Sequence, residues 1–271
     1  MRIAIIIVLL ICATIGADAQ RIKLLTFVGD SSVVLRWIGN TNPKVDGWYL
    51  ERSVDNGPWT RLTPQPLTRE MSSSRATARV GKYRSGFYRM LFGVDSERDL
   101  TQADVVRTLT SDKVGFHFAL LAANPDLSEL TGERFIDSAI PLGIRTVRYR
   151  VLMIVGDGTS IASESPVIEP SKTDRVPVPD TIIVEEPENA VRLRWPRIAQ
   201  ESERGDVVSY RIWKGASQSG PFEEATTLAM LTLFNNAEDE KWYTWTDEFI
   251  ESGTSAYYYV RQVHGAGVLG D

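Results

Sequence analysis

From Ile22 onward the chain runs in short stretches where apolar and polar residues alternate, broken by turn residues. Alternation with period two places every second side chain on one face of an extended strand, so these stretches predict an antiparallel sandwich. Residues 32–37 (SVVLRW) set Val33, Leu35 and Trp37 on one face, and residues 48–52 (WYLER) predict the next strand. Asp55, Asn56 and Gly57 follow, three residues that tolerate positive φ in a tight hairpin, and residues 59–62 return as the partner. Much later, residues 147–155 (VRYRVLMIV) alternate Val147, Tyr149, Val151, Met153 and Val155 on one face. The turn Gly156, Asp157, Gly158 closes that strand, and residues 159–169 supply the last one of this set.

The same order recurs. Residues 191–195 (VRLRW) repeat 33–37, residues 210–214 (YRIWK) repeat the second strand, and the turn at 217–221 (SQSGP) follows. Trp245, Thr246 and Asp247 echo Phe135, Ile136 and Asp137, while residues 258–267 fall on 149–158 position for position. Two copies of one architecture account for this, joined by the proline-bearing stretch 169–180 (EPSKTDRVPVPD), whose prolines block regular pairing and stiffen the link.

The copies differ in one large respect. Trp37 and Tyr149 are 112 residues apart, whereas Trp195 and Tyr258 are 63 apart. The surplus in copy one reads as helical. Thr101 with Asp104 resembles a capping box ahead of Val105, Val106 and Leu109, and Ser111 caps a segment with Val114, Phe118 and Leu121. Asn124 and Pro125 close one helix and open another, with Leu127 and Leu130 inward and Gly132 as the stop. Tyr83, Phe87 and Leu91 recur at helical spacing, so a first helix is expected there despite Gly86. The expected inward set is Tyr83, Phe87, Val106, Phe118 and Leu121, too small for an independent core, so the insert should pack on the first sandwich.

Both copies resemble fibronectin type III domains. The resemblance is carried by Trp37 and Trp195 ending the second strand, by Trp48-Tyr49-Leu50 and Tyr210-Arg211-Ile212 on the third, and by Tyr149-Arg150-Val151 and Tyr258-Tyr259-Val260 on the sixth. Copy one departs by carrying Trp48 where the family has Tyr. The resemblance implies a mainly β protein of two tandem immunoglobulin-like (fibronectin type III) β-sandwiches, the first with an α-helical insertion. The implied organisation is a first domain over 20–170 with the insertion at about 82–130, a linker at 171–180, and a second domain over 181–271 that lacks its last strand. After Gly267 only residues 268–271 remain, so either a continuing chain or a strand from another molecule would complete that sheet, and continuation is the favoured expectation.

The first twenty residues change where such a protein is expected to work. Arg2, an apolar run over 3–11 and small residues ending at Ala17, Asp18 and Ala19 form the three parts of a secretory signal peptide, residues 1–19, cleaved before Gln20. The run is too short to span a bilayer, so no integral membrane span is expected in the mature chain. Cys12 is the only cysteine, which leaves the mature protein no disulfide, thiolate metal site or cysteine nucleophile. An exported protein held by packing alone suits a bacterial envelope, periplasm or exterior. With 30 basic and 35 acidic residues the net charge is −5, which gives nucleic acid no foothold.

Candidate chemistry is sparse. His117 sits in an apolar stretch that fits a packed imidazole, and His264 is expected at the rim of the second domain. No nucleophile elbow, phosphate loop or spaced metal-ligand set occurs, and a pair of carboxylates meeting only in the fold is the one hydrolytic arrangement left open. The acidic pairs Glu185-Glu186 and Glu223-Glu224 and the run 238–240 lack calcium-loop spacing, and Arg145, Arg148 and Arg150 read as ordinary outward charges. No catalytic residue, metal or cofactor is therefore assigned.

Strand parity does single out one face. If Tyr258 and Val260 point to the core, then Tyr257, Tyr259 and Arg261 point out, joined by Arg211 and Trp213 from the neighbouring strand. Two functions fit: a protein-binding or spacer molecule, or a glycan-binding accessory module using those rings. The same rings equally fit a face shielded by the linker or another part of the chain.

Overall fold

The computed structural model describes residues 22–270 except 40, 41, 43, 113, 115–119, 122, 123, 177, 197–206, 227–229, 232–241, 249, 251 and 252. The chain divides into two compact units, Met1–Asp174 and Arg175–Asp271.

The first unit is a two-sheet sandwich. β1 (Lys23–Val28), β2 (Val33–Ile38) and β5 (Arg134–Asp137) form one antiparallel sheet in the order β1-β2-β5. β4 (Trp59–Arg61), β3 (Gly47–Val54), β6 (Val147–Val155) and β7 (Gly158–Glu164) form the other, in the order β4-β3-β6-β7. Alternation explains the core between them: Val33, Leu35, Trp37, Trp48, Leu50, Val147, Tyr149 and Val151 are all buried there. Trp37 meets Trp48 edge to face at 6.0 Å, so the tryptophan that departs from the family pattern fills the place of a core aromatic. Asp55 and Asn56 both take positive φ in the tight turn between β3 and β4, which Gly57 N–H closes on the Val54 carbonyl at 2.7 Å.

The second unit repeats the plan. β8 (Ile183–Glu185), β9 (Val191–Pro196) and β13 (Trp242–Asp247) make one sheet in the order β13-β9-β8. In the other, β10 (Val207–Gly215) pairs with β14 (Tyr257–His264), β11 (Phe222–Glu224) and β12 (Met230–Leu231). Trp195 packs on Tyr210 at 5.2 Å, as Trp37 does on Trp48. The repeat extends to single hydrogen bonds. Leu50 N–H donates to the Thr63 hydroxyl at 3.2 Å, and Ile212 N–H donates to the Thr226 hydroxyl at 3.3 Å.

The helical insert of the first unit comprises α1 (Ser73–Leu91), α2 (Gln102–Leu109) and α3 (Pro125–Leu130). It packs on the β1-β2-β5 sheet, where α3 meets β5 and where Arg36 is buried although it points away from the sandwich core, as Phe27 and Val34 also are. Arg36 reaches the carbonyl of Leu121 at 2.5 Å. The α2 capping box is formed in full, with Asp104 N–H donating to the Thr101 hydroxyl and Thr101 N–H donating to the Asp104 carboxylate. Pro125 opens α3, and Gly132 follows it at φ 72°, against the backbone of Thr68.

Several expectations are corrected. Helix begins at Ser73, well before residue 82, because its opening turns carry serines and arginines and only Ala76 as a buried apolar residue. Gly81 breaks the helix at φ 81°, ψ 162°, and the buried stripe after it runs through Ser85, Tyr88 and Phe92. Tyr83 is therefore exposed rather than inward. Val106 is likewise exposed, since Val105 and Leu109 take the inward face of α2. Phe118 and His117 lie outside the described residues, as does the acidic run 238–240. The first unit continues beyond residue 170, because Val28 and Asp174 exchange hydrogen bonds through the Asp174 N–H and carboxylate.

Candidate interaction surface

β10 and β14 lie side by side in register, with Trp213 opposite Tyr259, Arg211 opposite Arg261 and Gly215 opposite Tyr257. All five residues singled out by strand parity thus stand on one face of one sheet. Trp213 and Tyr259 stack with centroids 5.1 Å apart and planes 11° from parallel. The guanidinium of Arg261 lies over both rings, at 5.3 Å and 5.1 Å. Phe222, from β11, meets Tyr259 edge-on at 4.9 Å. Its ring lies across Gly215, where a Cβ would sit 2.9 Å from the Phe222 Cδ1, so glycine is what lets the ring reach Tyr259.

Not all five are accessible. Tyr257 is exposed and Trp213, Tyr259 and Arg261 are half-buried, but Arg211 is buried and lies 3.6 Å from Glu224. Its neighbours cover it, so Arg211 supports the face from beneath. His264 is also buried rather than at the rim, its Nδ1 accepting a hydrogen bond from Ala266 N–H in the turn after β14.

The first unit carries a matching face that sequence reasoning passed over. Arg150 lies 4.4 Å from the ring centre of Trp59, Arg148 lies 5.3 Å from it, and Arg61 lies 4.0 Å from that of Tyr49. Glu51 ties this ladder together, accepting from Arg150 at 2.5 Å and Arg61 at 3.3 Å. Its signal was present in the outward parity of Tyr49, Glu51 and Trp59. By sequence Arg148 and Arg150 are ordinary outward charges of a strand, and their cross-strand ring partners appear only once register is known.

Both faces are laminated: guanidinium and ring alternate, and acid pairs with base. Such a face is stiff, and aromatic rings alternating with Arg are the composition enriched in protein interfaces. Glu185 is also engaged, pairing with Arg192 and Arg194 at 3.4 Å and 3.1 Å. Among the described residues no group of His, Cys, Asp and Glu is placed to hold a metal ion, and no helix is long and apolar enough to cross a membrane.

No known protein-family profile and no curated protein matches this chain. Solved structures do resemble it at low identity. The chicken CNTN1 FN1–FN3 domains align at 11% identity and a TM-score of 0.32 over 94% of this chain, which spans 64% of that one. The chicken interferon gamma receptor alpha chain aligns at 9% identity and a TM-score of 0.29 over 93% of this chain and 95% of that one.

Proposed function

We propose that this chain is an exported, non-catalytic protein of a bacterial envelope or exterior that binds a partner protein, or spaces other modules, through two fibronectin type III-like sandwiches. The observation that carries the binding reading is the laminated face of Trp213, Tyr259, Arg261 and Phe222. It is preorganised by its own stacking, and Trp, Tyr and Arg are the residue types that dominate protein hot spots. Preorganisation matters because ordering long side chains on association costs free energy, and here the rings already hold one another. The signal-like leader supports export, with cleavage before Gln20.

A glycan-binding role is the second reading, favoured by Tyr257, an exposed ring at the border of the face. Sugar platforms need an open ring face, and Trp213 is already stacked by Tyr259 and roofed by Arg261. The protein reading is therefore preferred. The test is a pull-down of envelope proteins by the mature chain and by its Trp213→Ala and Arg261→Glu variants, beside tryptophan fluorescence titrated with polysaccharides. Partner capture lost in both variants supports the proposal. Saturable quenching by a polysaccharide, with capture unaffected by either substitution, overturns it in favour of the glycan.

A further inference from the structure

The ladder on the first sandwich is unevenly matched in charge. Across the outer face of the β4-β3-β6-β7 sheet, Trp59 stands opposite Ser53 and Ser53 opposite Arg148, while the next row runs Arg61, Glu51, Arg150 and Glu164. Glu51 commits both carboxylate oxygens within its own row: one accepts from Arg61, the other from the Nε and Nη2 of Arg150. Asp55, two positions beyond Ser53, already accepts from the main-chain N–H groups of Arg145 and Thr146. Arg148 is left without an acid. Its guanidinium lies 5.3 Å from the ring centre of Trp59, and among the described residues its side chain makes no hydrogen bond or ion pair, with Nε buried. Ser53 explains the pose, because its small side chain turns to the Gly57 carbonyl at 2.7 Å and lets the arginine cross β3 toward the ring.

A guanidinium held this way presents parallel N–H donors that match a carboxylate in two bonds, and a ring that keeps water off one side strengthens the pairing. Nothing in the fold is completed by filling the site. β4 pairs with β3, and β7 with residues 165–168 fills the far side of β6, so this face is the outside of a finished sheet. Whatever covers it is a binding partner. The half-buried rings of Tyr49 and Trp59 flank the guanidiniums, so an occupant must reach in between them. A carboxylate on a side chain does so, whereas headgroups held in the plane of a bilayer do not. Along β6, Arg148 and Arg150 repeat at about 6.4–6.8 Å, the spacing of alternate side chains in an extended peptide.

We propose that the outer face of the first sandwich binds an extended acidic segment of a partner protein, one carboxylate pairing with Arg148 and the next alternate side chain lying over Arg150. Charge complementarity selects that partner: three guanidiniums surround the single carboxylate of Glu51, and Glu164 stands exposed at the far edge of the row. The chain as a whole carries a net charge of −5, so an acidic segment is drawn to this patch and repelled by most of the remaining surface. The site is separate from the Trp213 face and does not rest on it.

The test titrates the mature chain with fluorescein-labelled oligo-L-glutamate at low salt and reads anisotropy. Saturable binding that Arg148→Glu weakens at least tenfold, that Arg148→Lys weakens less and that Arg261→Glu leaves unchanged supports the site. Where Arg148→Glu lowers the melting temperature, Arg148→Gln carries the same comparison without reversing the charge. Equal binding by the parent chain and the Arg148 variants overturns the proposal, as does no binding of the peptide. Binding of polygalacturonate or of phosphatidylglycerol vesicles that depends on Arg148, with none of the peptide, overturns it in favour of an acidic glycan or a lipid. Sedimentation that rises with concentration in the parent chain and not in Arg148→Glu assigns the face to a second copy and overturns it too. Arg261→Glu is also the variant that tests the Trp213 face, so failure at one surface is read separately from failure at the other.

Discussion

The hydroxyl of Tyr149 donates a 2.9 Å hydrogen bond to the carboxylate of Asp137, the last residue of β5, across the sandwich core. Arg52 binds the same oxygen at 2.7 Å. The arrangement recurs in the second domain, where Tyr258 donates to Asp247 at 2.8 Å and Lys214 binds that oxygen at 2.7 Å. Burial first, and the adjoining carboxylate second, raise both phenols well above the ordinary tyrosine range. Each link joins the two sheets of its sandwich.

Tyr149→Phe should therefore cost about 1.5–3 kcal/mol, the range for a hydrogen bond to a charged group. Tyr258→Phe should cost less, because its ring is less buried. Urea denaturation of each variant checks the order, and equal losses would show that burial does not grade the link.

Arg36 is buried beneath the helical insert, and burial lowers its guanidinium to about 10, against the opposing pull of Glu133. Burial in turn raises Glu133 above the usual carboxylate range. Arg36→Ala should cost about 1–3 kcal/mol by leaving the buried Leu121 carbonyl without its charged donor. A double-mutant cycle with Glu133→Gln, read by denaturant midpoint, measures how far the two buried charges feel each other, and strict additivity would show that they act independently.

Asp104 gathers hydrogen bonds from Arg98, from the Thr101 side chain and backbone and from Arg107, and these hold its carboxyl far below the normal value of 3.8. A carboxyl lowered in the folded state stabilises fully above its unfolded pKa and loses that contribution as pH falls through the folded value. Asp104→Asn should therefore lower the melting temperature at pH 7, and the gap to the parent protein should shrink as pH falls below about 4. A gap that is constant with pH would assign the loss to the cap geometry alone.

Gly132 follows α3 at φ 72°, and a Cβ there would sit 2.9 Å from the carbonyl carbon and oxygen of Thr68. Gly132→Ala should destabilise by at least about 1–2 kcal/mol from the left-handed backbone alone, with the clash added. Thermal denaturation of the full chain measures it. A neutral result would mean that residues 66–70 shift freely.

The sequence by itself determined the strands, the duplication and the face on which Trp213, Tyr257, Tyr259 and Arg261 stand. Each follows from period-two alternation, which is local, and from the order of a few aromatics, which survives in the chain. Capping at Thr101 and the stop at Gly132 were legible for the same reason: a cap is a contact between residues three or four apart. Tertiary structure alone decided what lies over each face. Val34 and Phe27 made β2 and β1 apolar on both sides, the mark of strands covered twice, yet only packing showed that Arg36 on the same outer face reaches the helical insert. Arg211 and Arg261 stand directly opposite each other on one face, yet Arg211 is buried and Arg261 only half-buried, since burial depends on neighbours that alternation along one strand does not place.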